Sequence, residues 1–595
     1  MLSKPSTTVV EHSDEGVPSP RPDSDSDTVV GFRLSELDTH YAAQLKPSRV
    51  SGKWLVWMIT FVAGTGFTLF GYDQGVMSSL LTLPAFEAQF PETAGGFQGS
   101  HTATLQSLLV AIYEIGCMSG ALSNLYVGDR LGRRHTIAFG GVIMIVGAIL
   151  QTAAIDYAMM LVARVITGVG NGLLTSTVPM YQSECSKPHH RGQLVLLEGS
   201  LVTFGIMISY WVDLGFYFTE GSISWRFPLA LQIVFIIIML CCLYILRLPE
   251  SPRWLAAKGQ YPESLAVLAA LSNTSVDDQA VIDTFHGICD TLAAEKGASF
   301  AFSELTTGGK TQNLRRTLLG MGAQCFQQIC GINLITYYLT PVLASLGLDG
   351  TMSRVIAGVN GTCYFLTSLF AIAIIERVGR RPLMLWTALL QAFTFAILAG
   401  LYDKTQAANK AAQVISVLCL FLFNTWFSVG WLGVAWLYPA EVTPLRIRAP
   451  ANALSTATNW IFNFAVVMAV GPMFANIGWG TYALFAALNG LIIFPFIYLY
   501  FPETKRYSLE ALDIIFAKAH DEGVSPVGVS LKPEDIPKPG SKEAERILGR
   551  EAGPVDMSEK KKPGTGMRRI IKDRQGEKAE VQHNELSGKL GTSSV

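Results

Sequence analysis

Between about residue 54 and residue 501 the chain alternates between apolar blocks of roughly 20 residues and short polar joints. The first block shows the pattern most plainly. Trp54 to Phe70 carries no ionisable side chain, and the run closes on Gly71-Tyr72-Asp73-Gln74-Gly75. An uncharged run of that length predicts a helix crossing a bilayer, because about 20 residues rising ~1.5 Å each span the hydrocarbon core. Read the same way, the whole chain predicts twelve spans, at 54–80, 102–127, 135–155, 158–181, 193–214, 227–246, 317–345, 352–375, 382–402, 411–440, 450–473 and 480–501. Outside them lie a Ser-, Pro- and Asp-rich tail at 1–50, expected to be disordered, a polar stretch with helical patches at 249–316, and a second tail at 502–595.

Composition points the same way. Half the residues are apolar and 15% are charged, against about 25% charged in a soluble domain. A net charge of −1 gives no reason to expect a nucleic-acid partner; the lipid bilayer is the partner that the pattern demands. No apolar core precedes residue 50, so no cleavable signal peptide is expected and the first span must direct insertion. Most of the nine cysteines fall inside the apolar blocks, which does not suggest a disulfide framework. No metal-ligand spacing, nucleotide loop or nucleophile constellation is evident, so neither an enzyme nor a bound cofactor is expected.

Lys and Arg in the short joints set the orientation. Arg130, Arg133 and Arg134, then Lys187 and Arg191, then Arg377, Arg380 and Arg381, then Arg446 and Arg448 follow the second, fourth, eighth and tenth spans. The opposite joints are poor in both residues. The positive-inside bias therefore predicts that both tails and the central stretch are cytoplasmic; the plasma membrane is the expected location. Motifs also repeat about 250 residues apart, as internal duplication produces. Gly128-Asp129-Arg130-Leu131-Gly132-Arg133-Arg134 returns as Ile375-Glu376-Arg377-Val378-Gly379-Arg380-Arg381, and Pro249-Glu250 returns as Pro502-Glu503. Glu184 precedes Arg191 by the same interval that separates Glu441 from Arg448. Two halves follow, at 51–248 and 317–501, each of six spans.

Charge inside the apolar blocks is the main chemical signal. A carboxylate near the bilayer centre costs roughly 2.5–3.5 kcal/mol on insertion scales, so Asp73 should face protein or a wet cavity. Arg164, in the otherwise uncharged 158–181, is its natural partner. The pair reads either as an ion-coupling device or as a static link that fixes helix packing. Glu114 is a further acid in the second span, placed either to join such a path or to pack. Gln327, Gln328 and Asn333 share one uncharged span. At ~100° per residue they miss a common line by about 120°, so a break near Gly331 is needed to gather them around a cavity. Amides offer donors and acceptors without net charge, which suits hydroxyl groups, though single amides in lipid also act as interhelical glue. The acid–base sets Asp129 with Arg133, Glu184 with Arg191, Glu376 with Arg380 and Glu441 with Arg448 stand at helix ends on one side. They are read as a duplicated gate between the halves.

These motifs resemble the sugar porter family of the major facilitator superfamily over about 54–510. The matching residues are Gly71-Tyr72-Asp73, the two Arg-x-Gly-Arg-Arg loops at 130–134 and 377–381, Pro179-Met180-Tyr181, Pro249-Glu250-Ser251-Pro252-Arg253-Trp254, Gln327-Gln328-x-x-Gly331-Ile332-Asn333 with Tyr337-Tyr338, and Pro502-Glu503-Thr504. Trp436-Leu437-Tyr438-Pro439 and Asp513-Ile514-Ile515-Phe516-Ala517-Lys518 look most like fungal sugar and polyol proton symporters. The resemblance implies an all-α membrane protein with the major facilitator fold, twelve helices in two six-helix bundles. It implies that Asp73 accepts a coupling proton with Arg164 as partner, and that Gln327, Gln328, Asn333, Tyr337, Trp436 and Asn459 bind a sugar or polyol. Two positions depart from it: Gly199 stands where the family has a fifth-span Gln, and Tyr364 where it has an eighth-span Asn. The substrate is thereby left open among hexose, disaccharide and polyol. A facilitative uniporter and a transporter-like sugar sensor remain the alternatives.

Overall fold

The computed structural model describes residues 28–29, 32–33 and 39–548, apart from 96, 98, 187–190, 297–301, 407–408 and 540. Among the described residues eleven helices are long and apolar enough to cross a membrane: Gly52–Leu80, Ser100–Leu131, Arg133–Thr152, Tyr157–Glu184, Leu196–Tyr217, Ile223–Ile245, Gly350–Val378, Arg380–Thr405, Lys410–Val442, Pro450–Ile477 and Trp479–Tyr500. These are the first to sixth and eighth to twelfth spans. The expected seventh is two shorter helices, Asn313–Ile329 and Ile332–Ser345.

The break falls at Gly331, which has φ +100°, a left-handed conformation that glycine adopts without strain. A break frees backbone groups that lipid cannot satisfy. One is recovered from the twelfth span, where Asn489 Nδ2 donates to the carbonyl of Cys330 at 2.8 Å. A second device is the repeated Pro-Glu. Glu250 accepts the backbone N–H groups of Arg133 (2.8 Å) and Arg134 (3.1 Å) at the start of the third span. Glu503 does the same for Arg380 (3.1 Å) and Arg381 (3.2 Å) at the start of the ninth. Each carboxylate satisfies orphan donors at a helix N-terminus, where the helix dipole also favours negative charge.

Within the first half the second span packs on the fourth through Gly116, Gly120, Gly168 and Gly172. A Cβ at Gly168 would stand 2.2 Å from the carbonyl oxygen of Tyr113, so only small residues permit this approach. The first span packs on the fifth, and in the second half the ninth packs on the tenth and twelfth. The halves meet mainly where the second span packs on the eleventh, the fifth on the eighth, and the first on Ile332–Ser345. Large apolar side chains such as Trp57, Phe61, Phe370 and Trp386 line the outer face, where lipid would lie.

The first tail corrects an expectation. Its described residues include a helix, Thr39–Gln44, whose Ala42 is buried against Leu265 and Leu268, and two short strands that pair Thr28–Val29 with Phe32–Arg33. The central stretch is helical as expected, with Pro252–Ala257, Tyr261–Ser272 and Gln279–Lys296. After the last span, Leu509–Asp521 docks on the seventh through Arg316, whose Nη2 pairs with Asp513 at 2.6 Å. The helix Lys542–Leu548 belongs to a separate unit that starts at Pro537. The basic runs at Lys560–Lys562 and Arg568–Arg569 lie outside the described residues.

Candidate functional site

Asp73 sits on the first span and Arg164 on the fourth, and neither side chain is exposed. Arg164 Nη1 donates to Asp73 Oδ1 at 3.1 Å, and Nη2 donates to the carbonyl of Val110 on the second span at 3.3 Å. The guanidinium also lies 4.5 Å from the ring centroid of Tyr113. The glycine-lined approach of the second and fourth spans makes this reach possible. One cation thus holds three helices of the first half. Asp73 Oδ2 has no partner among the described residues, which leaves an acceptor site available on a buried carboxylate.

The amides collect in the second half, around the break. Asn459 on the eleventh span donates to Gln324 Oε1 (2.6 Å) and Gln327 Oε1 (2.9 Å). Gln327 Nε2 reaches the carbonyls of Trp431 and Leu432, both at 3.3 Å, and Gln324 Nε2 that of Ala435 at 3.0 Å. Gln328 donates to Gln327 Oε1 at 3.4 Å and accepts from Asn333 Nδ2 at 2.7 Å. The left-handed Gly331 turns Asn333 back over Gln328, which is how residues out of line on a straight helix come together. The tenth span supplies carbonyls because its helix loosens into a wider-turned segment at Ser428–Leu432.

Gln324 belongs to this cluster and the sequence reading missed it, although its place one helical turn before Gln327 and Gln328 is a usable signal. Two other side chains were missed. Trp431 and Trp460 are fully buried, and neither indole N–H has a partner among the described residues. Trp460 meets Phe70 of the first span edge-on at 5.6 Å, so it touches the other half. Trp436 is half-buried, and among the described residues no hydrogen bond ties it to the amides. Tyr337 also departs from its expected place. Its hydroxyl donates to Glu114 on the second span instead of joining the amide cluster. Gly199 packs toward Leu432, and Tyr364 is buried with its ring edge-on to Phe427 at 6.4 Å, so apolar surface replaces two amides here.

The helix-end charges pair differently from the expected sets. Arg133 does bond Asp129 (3.4 Å), and Arg380 does bond Glu376 (2.9 Å). Glu184, however, pairs with Arg133 at 3.1 Å, and the side chain of Arg191 lies outside the described residues. Glu441 pairs with Arg380 at 2.8 Å, whereas Arg448 turns to the carbonyl of Thr443 at 3.3 Å. The turn after each span sets this choice: Arg133 and Arg380 open the third and ninth spans beside the acids. Among the described residues each network closes within one half. No ion pair among the described residues joins the halves at the arginine-rich end.

At the opposite end the halves are bonded. Ser79 Oγ and Thr340 Oγ1 lie 3.2 Å apart, and the N–H of Thr340 donates to Ser78 Oγ at 3.1 Å. Arg354 Nη2 donates to the Ser79 carbonyl (3.1 Å) and to Thr82 Oγ1 (2.8 Å). Buried polar side chains thus gather around a broken helix, and the two halves are tied at the arginine-poor end.

The family model described as "Sugar (and other) transporter" matches residues 58–516. This chain belongs to the sugar porter family of the major facilitator superfamily. Among its relatives, the sugar transporter STL1 of Saccharomyces cerevisiae is 39% identical over 520 residues, covering 86% of this transporter and 90% of the relative. The major facilitator superfamily transporter mfsA of Aspergillus fumigatus is 39% identical over 536 residues, covering 87% and 96%. The fold matches the proton:xylose symporter XylE of E. coli with a TM-score of 0.65, at 23% identity, over 78% of this transporter and 100% of XylE. The transporter is thus a carrier and not an enzyme.

Proposed function

We propose that the transporter imports a sugar, hexose or disaccharide, or a related polyol together with a proton, by alternating access. The observation that carries this reading is the fully buried pair of Asp73 and Arg164, with one carboxylate oxygen unpartnered. Its two partners sit on different helices, and a proton arriving at Asp73 removes the charge that holds Arg164. A change that alters contacts differently in two states shifts their populations. Gln324, Gln327, Gln328, Asn333 and Asn459 supply donors and acceptors for hydroxyl groups, and Trp431 and Trp460 add free N–H donors. The names of two similar proteins, a sugar transporter and a proton:xylose symporter, agree with this assignment.

The arginine-rich end is read as cytoplasmic, with both tails on that side and the boundaries of the halves at 51–248 and 317–501. The bonded end is then extracellular, and the conformation is the one open or opening inward. Asp129, Arg133, Glu184, Arg191, Glu376, Arg380, Glu441 and Arg448 remain the gate of that reading, acting when the halves close at their end. Two assays test the proposal. Competition of unlabelled sugars and polyols, glycerol and sucrose included, against one labelled sugar finds the substrate. Alkalinisation of a weakly buffered cell suspension on adding that substrate supports symport. Uptake without alkalinisation favours a uniporter, and binding without uptake favours a sensor.

A further inference from the structure

We infer that Glu114 is a positioning residue that passes the state of the Asp73–Arg164 pair to the second segment of the seventh span, through the hydrogen bond it accepts from Tyr337. The inference rests on the proton-coupled reading above. Glu114 has no exposed surface, its Oε1 accepts from Tyr337, and its Oε2 has no partner among the described residues. The bond crosses from the first half to the second in the interior of the molecule. On its own helix Glu114 is flanked by the two groups that Arg164 touches, the ring of Tyr113 and the carbonyl of Val110 one turn earlier. It also stands within electrostatic reach of both Arg164 and Asp73. A single guanidinium therefore has two acids at hand and bonds one of them.

The remaining ionisable neighbours do not confuse this assignment. Tyr113 and Cys117 lie on the same helix, and Tyr337 and Tyr338 lie on the seventh span. The eleventh span, packed along the second, bears no ionisable side chain beyond Arg448 at its end. The third carries Arg133, Arg134 and His135 only at its arginine-rich end. When a proton occupies Asp73, the released Arg164 has Glu114 as its next acceptor. Its pull then competes with the bond from Tyr337. Tyr337 lies one helical turn after Asn333, on the same face of Ile332–Ser345, so a change at Tyr337 is felt where Asn333 meets Gln328.

The test is counterflow in proteoliposomes of the full chain between pH 5 and pH 8, with labelled D-glucose and labelled glycerol as probes. Glu114→Gln preserves shape and an acceptor oxygen but cannot ionise. It should keep counterflow and flatten the pH dependence of its KM. Glu114→Ala and Tyr337→Phe should each raise KM about fivefold, and the double variant should be no worse than either. Multiplying losses in the double variant, or an unchanged pH profile in Glu114→Gln, would overturn the inference while leaving proton coupling standing. A wild type whose counterflow ignores pH would overturn both.

Discussion

At the scale of single residues, the chemistry turns on a buried ion pair whose members are not interchangeable. Removing one partner of such a pair costs about 3–5 kcal/mol, because the other charge stays buried. Arg164→Ala strands Asp73 and should lower the unfolding temperature of purified protein markedly. Asp73→Asn strands a guanidinium that cannot shed its proton and should lower it as well, so an unchanged thermal melt in either variant would contradict the pairing. Gln324 offers a second test. It accepts from Asn459 and donates to Ala435, and each such bond is worth about 1 kcal/mol net. Gln324→Ala removes both and should therefore cost about 2 kcal/mol of stability in a denaturant or thermal melt, with coupling intact; an unchanged melt would contradict this bonding. Asp73 and Arg164 were legible in the sequence because charge in an apolar block has few places to go. Gln327, Gln328, Asn333 and Asn459 were legible by motif. Gln324, Trp431 and Trp460 were not, since a polar or aromatic residue on a span looks the same whether it faces the cavity or a neighbouring helix. Tyr337 shows the converse, a residue whose motif fits a ligand site while its hydroxyl serves the other half.

At the scale of elements, the seventh span carries the main lesson. Its three amides did not fit one line on a straight helix, and that misfit pointed to the break at Gly331. A Cβ there would stand 2.8 Å from the ring of Phe395 and 3.0 Å from that of Phe485, in a backbone conformation that side chains disfavour. Gly331→Ala should cost about 1–3 kcal/mol of stability and slow substrate exchange severely. Normal exchange by a well-folded Gly331→Ala protein would refute the need for a break. The repeated Pro-Glu was visible as a pattern, but its purpose was not. Only the fold brings Glu250 to the third span and Glu503 to the ninth, over 110 residues from Arg133 and Arg380 in sequence. The same limit explains the gate. Sequence spacing suggested Glu441 with Arg448, whereas helix packing delivered Arg380 to Glu441; Glu184 meets Arg133, and the side chain of its expected partner Arg191 lies outside the described residues.

At the scale of the whole molecule, the membrane-spanning helices were written in the alternation of apolar blocks and polar joints. The conformation was not, because one sequence must support every state of the cycle. Here the halves are bonded through Ser78, Ser79, Thr82, Thr340 and Arg354 at the arginine-poor end. Arg354→Leu removes the charged member and should move the population toward the opposite opening, seen as greater labelling of a cysteine placed at Thr340 by a membrane-impermeant reagent from outside. Unchanged labelling would show that this end does not depend on Arg354. The central claim is that a proton gradient drives solute uphill through Asp73. Its most direct test is uptake of the identified substrate into proteoliposomes holding either wild type or Asp73→Asn, with an imposed inward proton gradient. The wild type should accumulate label above the outside concentration and collapse to equality with a protonophore, while Asp73→Asn should stop at equality yet still exchange. Wild-type uptake that never exceeds equality, or Asp73→Asn uptake that does, would contradict the account.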